Sequence, residues 1–209
     1  MIGKGKSISH GVAALEYDLA KEINGQAVAT EIARHELYGC TGAEMVQEMK
    51  PYHIDFPNVK NNCLRFEVSP SIEESATFTD ADWAELGNDF MQRMGLANHQ
   101  YIIIRHSGTE SKKEQAHLHI LANRVSLSGE LYRDNWIGKK ATEAANAIAK
   151  ERNFVQSQDI GKVNKAEIKE AMDGVLKKMQ GFDFTKFKEE LGKRGFKVRE
   201  KLLFIQSSQ

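Results

Sequence analysis

The chain has 209 residues, 41% hydrophobic and 28% charged, with 29 Lys/Arg against 29 Asp/Glu. That suits one soluble α/β domain, or one domain with a small appendage, and a neutral total charge does not announce a nucleic-acid binder. No apolar run reaches the length of a membrane span, and the start MIGKGKSIS lacks the apolar core of a signal peptide. Cys40 and Cys63 stand apart without CxxC spacing, so a reduced, cytoplasmic setting is the simplest expectation. Charge is uneven: residues 161–209 hold twelve Lys/Arg against seven Asp/Glu, which suits phosphate contacts or an ordinary solvated surface.

In chain order, residues 4–9 read as extended. A helix is expected over 11–23, with Val12, Leu15, Leu19 and Ile23 as its apolar stripe and Gly25 as its stop. Tyr17 lies off that stripe, and His10 shares its face if the helix begins that early. Residues 27–39 are ambiguous. Thr41-Gly-Ala-Glu44 reads as a capping box for a helix stopped near Pro51, and His53 reads as a surface residue. Residues 63–69 alternate as a strand, with Leu64, Phe66 and Val68 inward and Arg65, Glu67 and Ser69 outward. Glu67 is then either a solvent-facing carboxylate or part of a site lining. Thr79 caps a helix to about Met94 whose stripe, Trp83, Leu86, Phe90 and Met94, is packing rather than a cofactor box.

Two strands follow, over 101–106 and 116–125. In the second, Ala116, Leu118, Ile120 and Ala122 share one face, and His117, His119, Leu121 and Asn123 the other. His106 ends the strand beside it, so three of seven histidines fall within fourteen residues. Three imidazoles converging from adjoining strands suit a divalent metal with open positions. The bland alternative is a set of half-exposed strand histidines. Ser128-Gly129 reads as a turn, and Asp134 as the cap of a helix to about Arg152 that buries Ile137, Ala141, Ala144 and Ile148. Residues 154–163 read as a linker. A helix is expected from Asn164, with Ile168, Met172, Val175 and Met179 on one face, then a shorter one from Thr185 to Gly195 and a final stretch over 196–205.

RHSGTESKKEQAHLHILANRV resembles the third motif of mobilisation (Mob) relaxases, members of the HUH endonucleases; the matching positions are His106, His117, His119 and Asn123. KSISHGVAALEYDLAK resembles their first motif, with Tyr17 at the nucleophile's place, and LRFEVSPS resembles their second. Residues 134–152 and FTKFKEELGKRGF resemble the downstream part of plasmid-mobilisation proteins, including those of Bacteroides-type elements. The resemblance implies an α+β fold with a central antiparallel sheet of about five strands and flanking helices. It places the nuclease domain over 1–153 and a mostly helical extension over 154–209.

The activity it implies is a nick in one DNA strand at an origin of transfer, through a 5′-phosphotyrosyl link. Mn²⁺ or Mg²⁺ would sit on His106, His117 and His119. The implied partners are single-stranded DNA, accessory mobilisation proteins and a coupling protein in a bacterial cytoplasm. A phenol is protonated near neutral pH, with an ordinary pKa of about 10, so Tyr17 needs a base or the metal's field to attack, and His10 and Glu67 are the candidates for the base. Some Mob relaxases are thought to use a histidine nucleophile, which keeps His10 open in that role too. Two other classes remain: a hydrolase using the histidines to activate water, and a non-catalytic DNA-binding or replication-initiation module.

Overall fold

The computed structural model describes residues 1–108, 115–196 and 198. Its elements are β1 (Ile2–Ile8), α1 (Gly11–Leu19), β2 (Glu22–Ile23), β3 (Gln26–Ala27), β4 (Ala29–His35), α2 (Gly42–Met49) and a 3₁₀ turn (Lys50–His53). Then come β5 (Cys63–Ser69), α3 (Ile72–Ser75), α4 (Asp80–Arg93), β6 (His99–His106), β7 (His117–Ser126), α5 (Ile137–Glu151), α6 (Ser157–Leu176) and α7 (Phe184–Lys193). Five strands form one antiparallel sheet in the order β1-β5-β7-β6-β4, as expected for the fold class. The chain divides into two compact units, 1–157 and 158–209.

The sheet is covered on both faces, which is why β6 and β7 are apolar along both of their sides. Leu64, Phe66 and Val68 of β5, Ile103 of β6, and Leu118, Ile120 and Ala122 of β7 pack with Trp83, Leu86 and Phe90 of α4 and Ala141, Ala145 and Ile148 of α5. On the opposite face Cys63, Leu121, Ile102 and Ile104 pack with Ala14 and Leu15 of α1 and Met45, Val46 and Met49 of α2. Close approach depends on two glycines. A Cβ on Gly3 would lie 2.4 Å from the Ala141 carbonyl of α5, and one on Gly11 would lie 2.6 Å from Cys63 Sγ. Gly11 therefore lets the first turn of α1 rest on the sheet. The capping boxes at Thr41 and Thr79 are present, and Ser71 makes a third that opens α3, which the sequence reading passed over.

Several local expectations are corrected. Helix α1 ends at Leu19 and buries Gly11, Ala14, Leu15 and Asp18; Val12 is exposed and Ile23 is in β2. The close approach to Cys63 leaves room for no side chain at Gly11, and this phase of the helix turns Val12 outward. Asn24 and Gly25 both take positive φ, 53° and 76°, and turn the β2–β3 hairpin rather than stopping a helix. Asp134 does not cap α5, because Arg124 holds its carboxylate at 2.7 Å; Trp136 takes the cap position in the left-handed region. The expected linker over 154–163 is helical from Ser157, with Gly161 tolerated inside α6. In that second unit Ala171 and Val175 of α6 pack on Phe187 and Leu191 of α7, and Ile168 and Met172 stay exposed. Helix α7 begins at Phe184, one residue before the expected Thr185, with Asp183 as its cap. Most of 196–205 lies outside the described residues, as do residues 109–114 of the loop between His106 and His117.

Candidate metal centre

Register builds the site. Directly paired residues of an antiparallel sheet share a face, and His106 is opposite His117, Ile104 opposite His119, Glu67 opposite His119, and Lys4 opposite Glu67. This is the face covered by α1 and α2, but the apolar cover stops at Ile104 and Leu121. Beyond it the same face continues as His106, His117, His119, Arg65, Glu67, Lys4 and Lys6. The ring centroids of His106 lie 4.4 Å from His119 and 5.3 Å from His117, and the latter two are 4.9 Å apart. One ring nitrogen from each falls within 4.8 Å of the others.

The proton positions follow from the neighbours. His106 Nε2 donates to the Asp18 carbonyl at 2.7 Å, leaving Nδ1 as its lone pair. His117 Nδ1 donates to the Gln115 carbonyl at 3.1 Å, leaving Nε2 as an acceptor. His119 Nε2 therefore donates to His117 Nε2 at 3.1 Å, and Arg65 Nη2 donates to His119 Nδ1 at 3.4 Å. Burial and the neighbouring cations push His119 down to about 2, and burial lowers His106 too, so both rings are neutral at physiological pH. Neutral imidazole is the form that ligates metal.

Asp18 is the residue that the sequence reading missed. It is buried at the end of α1, and Arg65 grips its carboxylate with Nε at 3.0 Å and Nη2 at 2.5 Å. Its Oδ1 lies 3.8 Å from His119 Nδ1, and its carbonyl takes His106. Burial still raises its pKa, against the pull of Arg65. The spacing Gly11–Ala14–Leu15–Asp18 is helical and would have singled it out had the stripe been phased correctly.

The other expected residues divide. Glu67 faces the site: it accepts from Lys4 Nζ at 2.8 Å and lines a cavity of about 200 Å³ with Lys4, Lys6, Arg65 and His119. Tyr17 is on the exposed side of α1, 56% accessible, and its hydroxyl accepts from Lys21 Nζ at 2.7 Å rather than meeting an imidazole. His10 precedes the helix at its cap position, exposed and making no side-chain cap bond, so it is not a helical neighbour of Tyr17. Asn123 is buried away from the histidines: it accepts from His53 Nε2 at 2.7 Å and donates to Gln100 Oε1 at 3.0 Å. His53 is accordingly half-buried rather than a surface residue.

Histidine burial predicts an acid limit to stability. His99, like His106 and His119, is held below its ordinary value near 6.5 by burial. Below pH 6.5 the unfolded chain binds protons that the native chain refuses, so stability is full above that pH and falls beneath it. Each group contributes at most about 1.4 kcal/mol per pH unit, roughly 4 for the three. Urea unfolding at pH 7.5, 6 and 5 checks this; a flat stability over that range would contradict it.

A five-stranded antiparallel sheet carrying three converging imidazoles, edged by lysines and an arginine, has the outline of a metal-assisted phosphodiester enzyme. The family model for the MobA/VirD2-like relaxase nuclease domain matches residues 17–154, and the chain belongs to that family of relaxases, which are site-specific DNA endonucleases. Among solved structures, the metal-bound conjugative relaxase TrwC in complex with oriT DNA is similar at 10% identity, over 98% of this chain and 94% of that one, with a TM-score of 0.42. No curated protein matches. Among the described residues, no helix is long and apolar enough to cross a membrane.

Proposed function

We propose that this relaxase nicks one DNA strand at an origin of transfer by metal-assisted transesterification and so serves the conjugative mobilisation of a plasmid or transposon. The observation that supports this reading is the convergence of His106, His117 and His119 within 4.8 Å where the apolar cover of the sheet ends. These three would hold the ion. Their nitrogen donors fit Mn²⁺ better than Mg²⁺, which prefers oxygen. Bound there, a divalent cation supplies Lewis-acid charge at the scissile phosphate. To offer Nε2 on both His117 and His119, His119 moves its proton to Nδ1, toward Asp18 Oδ1; Asp18 then orients two of the three rings.

Tyr17 is the nucleophile in this proposal. Its oxygen bonds to phosphorus as the bond from phosphorus to the 3′ oxygen breaks. The phenolic proton goes to a base, and the departing 3′ oxygen takes a proton from that base or from water and leaves as a hydroxyl. Lys21 puts a positive charge beside the attacking oxygen. Glu67, in the cavity with His119, is the base in this proposal, and exposed His10 suits a DNA contact or a second base. Lys4, Lys6 and Arg65 would meet phosphates of single-stranded DNA. We assign the chemistry to residues 1–153 and DNA or partner contact to the helical residues 154–209, with accessory mobilisation proteins and a coupling protein as the partners.

Supercoiled plasmid carrying the DNA that flanks the gene tests this. With Mn²⁺ and SDS, a nick and a protein–DNA adduct are expected, and neither in EDTA. Cleavage without an adduct would mean attack by water; no cleavage of any flanking DNA would contradict the proposal.

A further inference from the structure

Trp136 is 80% exposed, and its backbone is in the left-handed region at φ 58°. An indole gains nothing from packing there, while the next residue, Ile137, enters the core. Asn or Gly would hold that backbone with less strain. Its surroundings are basic. Arg133 and Lys139 are exposed, and Lys140 Nζ lies 5.0 Å above the Tyr132 ring, donating to the Arg133 carbonyl at 2.8 Å. The nearby acids are matched: Arg124 holds Asp134 at 2.7 Å, and Glu143 lies 3.7 Å from Lys139. Trp136, Lys139, Lys140 and Glu143 line a cavity of about 270 Å³.

Its place in the fold connects it to the histidines. β1 is an edge of the sheet, and it points Lys4 and Lys6 to the histidine face and Gly3 and Gly5 toward α5. Gly138 in the first turn of α5 comes against the Gly5 carbonyl, so Trp136, two residues before it, lies close to this edge strand. Lys4 and Lys6, on the other side of β1, would lead a strand from the histidines toward that edge. Tyr38 is also exposed, but its hydroxyl donates to Glu36 and its amide to Glu48, surroundings that repel phosphate.

We propose that Trp136 is a stacking platform for an unpaired base of the DNA strand passing the histidine cluster, with Arg133 and Lys139 on the flanking phosphates. This deepens the nicking reading above and rests on it. Every base has a π face, so the contact tolerates sequence and requires a single strand.

The chain has two tryptophans, and Trp83 is 2% exposed, so quenching by DNA reports on Trp136. The test titrates the full chain in EDTA with oligothymidylate, following emission and the polarisation of a labelled strand. Wild-type emission should fall on binding. Trp136→Asn, which suits the left-handed backbone, should bind about tenfold more weakly with no quench, and Trp136→Phe should regain part of the affinity. Unchanged affinity in Trp136→Asn, or equal quenching by duplex DNA, would overturn the proposal. Nicking is scored separately with Mn²⁺: quenching without any nicking supports the platform and strikes the nicking reading, and nicking without quenching does the reverse.

Discussion

His119→Ala is expected to abolish nicking and most Mn²⁺ binding while unfolding remains cooperative. His119 sits between the other two rings and under Arg65, and crowding holds it neutral down to about 2. Removing it relieves that crowding, so the fold should lose little. The chemistry should lose the charge that offsets the phosphate, about 4 kcal/mol or more, roughly 10³-fold in rate. Calorimetry on His117→Ala/His119→Ala checks the binding half: an affinity for Mn²⁺ equal to the wild type would show that the ion is held elsewhere.

Tyr17→Phe is the second large effect. The substitution removes one hydroxyl from a side chain that is 56% exposed, so the fold and the ion should survive. Losing a nucleophile typically costs on the order of 10⁴-fold or more, and the SDS-resistant adduct should vanish with the nick. His10→Ala should slow the reaction and leave the adduct where it was. The Tyr17 hydroxyl rests on Lys21, whose positive charge would stay beside the oxygen as it attacks.

The histidine cluster was legible because a strand's period of two is rigid. Once His117 and His119 were on one face, only the pairing with β6 remained, and the neighbouring positions His106 and His117 supplied it. Strand β5 and helix α4 were legible for the same kind of reason, with clean alternation in one and a capped apolar stripe in the other. Strand β4 was not: it is an edge strand, half-exposed along its length, with a register shift between Glu31 and Ala33 that breaks its alternation. The buried face of α1 was misphased because the close approach of Gly11 to Cys63 goes with a helix phase that turns the more hydrophobic Val12 outward. That error hid Asp18, whose partners Arg65 and His106 are 47 and 88 residues away and carry no local signal.

Mass spectrometry of the peptide trapped on a nicked strand tests the central claim most directly, because it names the atom that attacked. The account predicts a nucleotide on Tyr17 in the wild type and no adduct in Tyr17→Phe. A nucleotide on His10, or an undiminished adduct in Tyr17→Phe, would contradict it.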